Sequence, residues 1–389
     1  IIEKVKTMNI IYVKMFQLIS SSIDIIDKDT QTLLIKYTDN VDYSTNDINY
    51  ELIEELKENG VEFYDDKPIN AGTIALVYKG KFNDTDVAVK IKRNNIHNIL
   101  EEGLYNMLWF VYLLSFIPMF DNLNIYEAFE CNRDGLYKQL SFNEEVDSIK
   151  RLGVNNKLNK AIIVPKTYNI ENVDPSKYIL MEFINGDKVQ NVDNKDKIEY
   201  YKIFMNFCIK CLMFDGYSHG DLHSGNILFV KDTETDCSNN ELKLAILDCG
   251  IMNENTVSER DIFHDYFDAL RKNDATLLTT ISLTKLADPE NRYEQLDSKI
   301  KKEIYDSIFL IYEEICTNKH FISHHDIAAI NSILRKHKLY TSKVFMKLQA
   351  ALWLIQSVGL ELMDGDIVKV FDYIKSILNT MFKPFDFDE

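Results

Sequence analysis

The stretch His219-Gly220-Asp221-Leu222-His223-Ser224-Gly225-Asn226 restricts this chain more than any other. An apolar run, Ile227 to Val230, follows it directly, and a second run, Leu244 to Leu247, ends in Asp248-Cys249-Gly250. Two short strands thus carry an Asp, an Asn a few residues on, and a further Asp before a Gly. That layout suits phosphoryl transfer from a metal-bound nucleotide. Asp221 would take or orient the acceptor hydroxyl, while Asn226 and Asp248 would hold Mg2+. The alternative is an ordinary hairpin with a polar loop. It accounts for one short motif, but poorly for three such groups in this order.

A chain of 389 residues is long enough for two domains or one two-lobed catalytic domain. Gly (13) and Pro (6) are too scarce for long disordered linkers. A formal net charge of −17 disfavours non-specific nucleic-acid binding, because the phosphate backbone rewards clustered Lys and Arg. The same charge gives no help on an anionic membrane, although a local basic patch would permit peripheral contact. The irregular spacing of Cys131, Cys208, Cys211, Cys237, Cys249 and Cys316 does not read as a disulfide framework. Cys208 and Cys211 lie within a helical pattern without a second ligand pair, so helix packing outranks zinc. The longest apolar stretch, Leu104 to Phe120, contains Asn106 and Pro118 and is short for a membrane span. It reads as a buried helix, with a membrane segment as the lesser alternative, in an intracellular protein of unknown compartment that is soluble or peripherally membrane-bound. The sequence starts at Ile1, so the lack of a visible leader carries no weight.

Residues 1–60 read as a helical extension, with helices over Ile11–Ile26 and Tyr50–Glu58, the latter stopped by Asn59-Gly60. From Val61 the pattern turns to strands. Ile74 to Phe82 and Val87 to Lys92, joined by Asn83-Asp84-Thr85-Asp86, predict a hairpin. Before it, Asn70-Ala71-Gly72-Thr73 reads as a small-residue turn that lets backbone N–H groups approach a phosphate. Lys90 ends a Val-Ala-Val-Lys strand. A half-buried Lys there needs a carboxylate and a ligand unless it snorkels to solvent. Glu145 is the candidate partner, with Glu144 as competitor. Between them, 94–138 reads as a largely helical insertion, and Gly153 to Ile163 as the return to the sheet. Tyr178 to Ile184 reads as a buried strand, either a hinge whose backbone groups at Glu182 and Ile184 meet an adenine edge or a plain edge strand. After it the composition is helical, including Ile198–Asp215 closed by Gly216, Ser342–Leu362 and Ile367–Met381. Lys231 to Lys243 reads as a polar hairpin tip.

With those residues in place, the chain resembles the UbiB family of atypical protein-kinase-like proteins, linked to coenzyme Q (ubiquinone) and other prenyl-lipid metabolism. The family's H-x-D-x-H-x-G-N loop is met by His219, Asp221, His223, Gly225 and Asn226, and its metal-binding D-x-G by Asp248 and Gly250. The Val-Ala-Val-Lys strand is present. Asn70 to Thr73 corresponds to the family's alanine-rich nucleotide loop, Leu180 to Ile184 to its hinge strand, and Glu145 to its helix glutamate. Lys14-Met15-Phe16-Gln17 stands where the family has a Lys-x-Gly-Gln helix folded over the site. Phe16 replaces its Gly, and Gln139-Leu140-Ser141 replaces a Glu-x-Asp that precedes the helix glutamate.

The resemblance implies an α+β, bilobal protein-kinase-like fold, with a small β-rich N-lobe (61–184) bearing helical insertions and a mainly helical C-lobe (185–389). It implies an ATP- and Mg2+-dependent kinase or ATPase. Asp221, Lys90 and Glu145 would be catalytic, and Ala71, Gly72, Thr73, Lys90, Glu182 and Ile184 would contact nucleotide. Asn226 and Asp248 would hold metal, with Lys14 and Gln17 regulatory. The acceptor is a protein, a lipid precursor or water, and the oligomeric state is open. Two other readings stand beside this one. A small-molecule phosphotransferase of the aminoglycoside or choline kinase type shares the His-Gly-Asp-Leu-His-x-Gly-Asn loop. A non-catalytic nucleotide-binding lipid-handling or scaffold protein would keep the ligands without turnover.

Overall fold

The computed structural model describes residues 41–114, 140–232, 241–289, 291–318, 322 and 324–382. Lys14, Phe16, Gln17 and Gln139 lie outside them, as does the helix expected at Ile11–Ile26. In chain order the elements begin with α1 (Tyr50–Glu58), β1 (Glu62–Phe63), β2 (Asn70–Ala71), β3 (Ala75–Phe82), β4 (Thr85–Lys92), α2 (Ile96–Leu114), α3 (Phe142–Asn155), β5 (Ile162–Ile163), β6 (Thr167–Tyr168) and β7 (Tyr178–Glu182). There follow α4 (Lys197–Ile209), β8 (Tyr217–His219), β9 (Ile227–Asp232), β10 (Glu241–Ile246), β11 (Met252–Glu254), α5 (Val257–Lys272), α6 (Ala275–Thr284), β12 (Ala287–Asp288), α7 (Ser298–Asn318), α8 (His324–Lys336), β13 (Tyr340–Thr341), α9 (Lys343–Leu362) and α10 (Ile367–Met381). Two compact units result. The first takes the described residues up to Lys157, with Val164–Asn185 and Leu247–Ile251; the second takes Leu158–Ile163, Gly186–Ile246 and the described residues from Met252.

The first unit is built on an antiparallel sheet in the order β1-β3-β4-β7-β6, with β2 against β3. The β3–β4 hairpin turns at Asn83 and Asp84, both with positive φ (47° and 61°), the conformation a two-residue hairpin loop needs and Asn and Asp tolerate. Strand alternation sends Val87, Val89 and Ile91 into the core with Leu52, Ile53 and Leu56 of α1. The opposite face carries Lys90.

Several expectations need correction here. Asn70 and Ala71 are not turn residues; they pair with Val77 and Leu76, and the turn is confined to Gly72–Ile74. β7 is no edge strand, since it is bonded to β4 and β6 on its two sides. Gly153 continues helix α3, and Ile162–Ile163 pair in parallel with β10 of the second unit instead of returning to the first sheet. The stretch from Leu104 is not simply a buried helix. Ile96, Leu100 and Leu104 form a buried face, but Tyr105, Trp109, Tyr112 and Leu113 are 46–61% exposed. Apolar residues circle this helix, so periodicity did not single out these four as the exposed ones. Edge-on contacts of Trp109 with Tyr105 and Tyr112 partly cover the aromatic row instead.

The second unit holds the sheet β5-β10-β9, the β8–β11 pair, and the C-terminal helices. Helix α4 runs into a wider π-helical turn, Lys210–Asp215, which Gly216 closes at φ 62°. Burial raises the Cys208 thiol well above its ordinary value, and Cys211 is buried in the same packing. No group of three His, Cys, Asp or Glu suited to a metal occurs among the described residues, and no described helix is long and apolar enough to cross a membrane. Helix α9 lies close on α4, where a Cβ at Gly359 would come within 2.8 Å of the Tyr201 ring. Gly359→Ala is therefore expected to destabilise by about 1–3 kcal/mol, as overpacking does. Urea unfolding measures this, and an unchanged midpoint would show that the two helices can part.

Candidate active site

Each unit contributes its own group of polar residues. In the first, Lys90 projects from β4 toward helix α3. Phe142, Glu145, Ile149 and Leu152 form the buried face of α3, at spacings of three and four residues, and this chooses Glu145 over the exposed Glu144. Ser141, where the family pattern has an Asp, accepts from the Glu144 N–H at 3.3 Å and caps the helix. The Lys90 ammonium donates to Glu145 Oε1 at 2.7 Å and Oε2 at 2.9 Å, and to Asp248 Oδ2 at 3.0 Å. Asp248 is further shaped by the Gly250 N–H, which donates to its Oδ1 at 2.8 Å.

The three charges are unequally buried. The side chains of Glu145 and Lys90 are 3% and 15% exposed, and that of Asp248 is 40% exposed. Burial opposes the Lys90 charge, but the Asp248 and Glu145 carboxylates outweigh it and hold the ammonium above the ordinary lysine range. Burial pushes the Glu145 carboxyl up to about 7 against the pull of Lys90, with the Asp248 charge adding to the rise. The folded chain thus keeps a proton on Glu145 that the unfolded chain loses near an ordinary 4.5. The stability this adds is complete below that value and is lost as pH rises toward 7. Between pH 5 and 8, the wild type should therefore lose stability relative to Glu145→Gln, measured as the difference in urea midpoints. A constant difference would contradict the raised value.

The nucleotide-loop candidates lie at one end of β3. Ala71 is 3% exposed, in β2. Gly72 donates its N–H to the Ala75 carbonyl at 2.9 Å. Thr73 is mostly buried, yet no acceptor for its N–H occurs among the described residues. Past β7, Glu182 donates its N–H to the Lys166 carbonyl at 2.8 Å, and Phe183 to that of Asp86 at 3.0 Å. Ile184 makes no backbone hydrogen bond among the described residues.

In the second unit the loop after β8 is held by its own residues. The Asp221 N–H donates to His219 Nδ1 at 3.0 Å, and the Asp221 carbonyl accepts from Asn226 Nδ2 at 2.9 Å. Both backbone groups of Asp221 are fixed, which orients its half-buried carboxylate. That bond engages Nδ2 of Asn226 and leaves its Oδ1, an acceptor, out of it. His223 Nδ1 accepts from the Gly225 N–H at 3.1 Å, capping the single 3-10 turn Ser224–Asn226. Two partners missed by the sequence reading hold this turn: Lys188 donates to the Gly225 carbonyl at 2.8 Å, and Ser224 Oγ donates to Glu361 Oε1 at 3.0 Å. Neither had a signal in the sequence, since both act across long separations.

Each unit by itself offers an oxygen donor of the kind Mg2+ accepts, the Asp248 carboxylate in the first and the Asn226 amide oxygen in the second.

The model of the ABC1 atypical kinase-like domain matches residues 36–282. The chain belongs to the ABC1 atypical kinase-like family. Among its relatives is the probable serine/threonine-protein kinase abkB of Dictyostelium discoideum, 28% identical over 266 residues, covering 62% of this chain and 37% of abkB. Another is the probable protein kinase UbiB of Glaesserella parasuis, 25% identical over 270 residues, covering 64% of this chain and 47% of that one. The chain thus spans less than half the length of either relative. Among solved structures, Rv3197 of Mycobacterium tuberculosis, in complex with erythromycin, aligns over 84% of this chain and 80% of its own with a TM-score of 0.54 at 19% identity. The domain is therefore kinase-like in fold, with a β-sheet N-terminal part and a mostly helical C-terminal part, and UbiB-related in family.

Proposed function

We propose that the chain is an atypical kinase-like phosphotransferase or ATPase that uses Mg–ATP. The observation that carries this reading is the Lys90–Glu145–Asp248 cluster. An ammonium held by a deeply buried carboxylate and shared with a more exposed one is the arrangement that contacts nucleotide phosphates and a metal. All three Lys90 donors are spent on carboxylate oxygens. Taking up a phosphate oxygen means exchanging one of them. Asp248 is the natural one to yield, because its exposed carboxylate can turn to Mg2+ while Glu145 has nowhere to go. Mg2+ supplies charge neutralisation across the transferring phosphates. Asn226 Oδ1 and Asp248 would hold it, and Ala71, Gly72 and Thr73 would cover the phosphates. Glu182 and Ile184 would meet the adenine edge. Asp221 would orient the acceptor hydroxyl or a water. The prenyl-lipid connection of UbiB relatives supports a lipid precursor as acceptor, and the partly exposed aromatic row on α2 supports peripheral membrane contact.

The test is a thermal-shift series with ATP and Mg2+, ATP with chelator, and neither, followed by phosphate release with and without lipid vesicles. Stabilisation that needs both ATP and Mg2+, is absent in Asp248→Asn, and is accompanied by phosphate release is the expected result. Stabilisation without release would replace the enzyme by a nucleotide-operated switch. Efficient phosphorylation of a small alcohol would move the chain toward the aminoglycoside or choline kinase type.

A further inference from the structure

Arg93, immediately after β4, is 3% exposed, and its guanidinium is surrounded by backbone carbonyls. Nε and Nη2 donate to the Gly72 carbonyl at 3.0 and 2.8 Å. Nη1 and Nη2 each donate to the Asp42 carbonyl at 3.2 Å, and Nη2 reaches that of Val41 at 3.4 Å. The Asp47 carboxylate lies 3.5 Å from Nη1. A buried guanidinium is costly unless its fork of donors is satisfied, and here the fork joins two separate backbone segments. Further bonds run alongside: the Val41 N–H donates to the Ala71 carbonyl at 2.9 Å, and the Asn94 N–H to that of Asp47 at 2.8 Å. The segment Val41–Asp47 is thus stitched to the loop Ala71–Thr73, with Arg93 between them.

The geometry of one peptide gives this clamp a consequence. The Gly72–Thr73 peptide is trans, so its C=O and N–H point in opposite directions. Anchoring the Gly72 oxygen on Arg93 therefore aims the Thr73 N–H away from Arg93. No acceptor for that N–H occurs among the described residues. A cation pulling on the carbonyl also polarises the peptide and strengthens its N–H as a donor.

We propose that Arg93 is the positioning residue of the nucleotide loop. Braced by Val41–Asp47, it fixes the Gly72–Thr73 peptide so that the Thr73 N–H is presented to a nucleotide phosphate. This rests on the reading that Ala71–Thr73 covers the phosphates. It adds a dependence of phosphate affinity on the Val41–Asp47 strap, acting through Arg93.

Calorimetric dissociation constants for Mg–ATP and for adenosine are compared in the wild type, Arg93→Lys and Asp47→Asn. Lysine keeps the charge but cannot bond Gly72 and Asp42 together. Arg93→Lys should weaken Mg–ATP about tenfold, as expected for one lost hydrogen bond to a charged group, and leave adenosine unchanged. Asp47→Asn, which loosens one side of the clamp, should shift the same ratio less. It also carries the comparison if Arg93→Lys does not fold. Equal weakening of both ligands, or of neither, would overturn the positioning role, because a merely structural arginine does not distinguish triphosphate from nucleoside. A wild type that binds neither ligand removes the nucleotide reading and the proposal with it. Hydrogen exchange at the Val41 and Gly72 amides, slow in the wild type and fast in Arg93→Lys, then shows separately whether the clamp itself exists.

Discussion

Replacing Lys90 with Met should destabilise the protein by about 3–5 kcal/mol at pH 8, as removing one partner of a buried ion pair does. The variant leaves Glu145, 3% exposed, without its cation. Met fills much of the same volume, so the loss would be electrostatic rather than a cavity effect. The sign with pH follows from the Glu145 carboxyl, already pushed up to about 7 by burial. Without Lys90 it rises further, so at pH 5 it is neutral and the deficit shrinks. Adding Glu145→Gln to Lys90→Met should recover much of the loss at pH 8, a coupling that a double-mutant cycle in urea isolates. An equal deficit at pH 5 and pH 8, or no recovery in the double variant, would mean that the pair does not govern stability here.

The second large effect is on turnover. Asp221→Asn should lower phosphate release by about 10²–10⁴-fold, the range for loss of a positioned acid or base, while leaving Mg–ATP affinity near the wild-type value. Asparagine preserves the backbone bonds from Asp221 to His219 and Asn226, so the loop and the Asn226 side chain stay in place. Asp248→Asn should do the reverse and lose the Mg2+-dependent part of binding. Single-turnover phosphate release alongside equilibrium binding separates the two. An Asp221→Asn variant with wild-type turnover would remove Asp221 from the chemistry, and Asp248→Asn with unchanged Mg2+ dependence would remove Asp248 from the metal.

Much of the local structure was legible because short-range physics decides it. Helix α1 carries its own stop in Asn59-Gly60. The β3–β4 hairpin carries its own turn in Asn83-Asp84 and its own alternation in Val87, Val89 and Ile91. Helix α10 begins and ends where the periodic run Ile367–Met381 does. The catalytic-loop motif was readable for the same reason: its internal bonds, from Asp221 to His219 and from Asn226 to Asp221, span only a few residues. The motif pointed to a kinase-like site, and Lys14-x-x-Gln17, the Asn70–Thr73 stretch and the helical insertion before Glu145 favoured the UbiB-type family over the small-molecule kinases that share the loop.

What sequence left open was settled by burial and by partners distant in the chain. Glu144 and Glu145 are equivalent in composition, and only the packing of Phe142, Ile149 and Leu152 turns one inward to Lys90. The short Ile162–Ile163 strand has no pattern of its own that says which sheet it joins. Its parallel pairing with Leu244 and Ala245 decides that. Tyr105, Trp109, Tyr112 and Leu113 are apolar enough to be core, yet they stand exposed on α2. Nothing in the sequence marks Arg93, whose partners, the carbonyls of Val41, Asp42 and Gly72, are brought around it only by the fold. The sequence by itself determined which groups the chain carries and the local frames that hold them, because caps, turns and alternation act within a few residues. Only the tertiary structure decided which of those groups lose water and which become partners, because desolvation and long-range pairing depend on neighbours the chain does not place side by side.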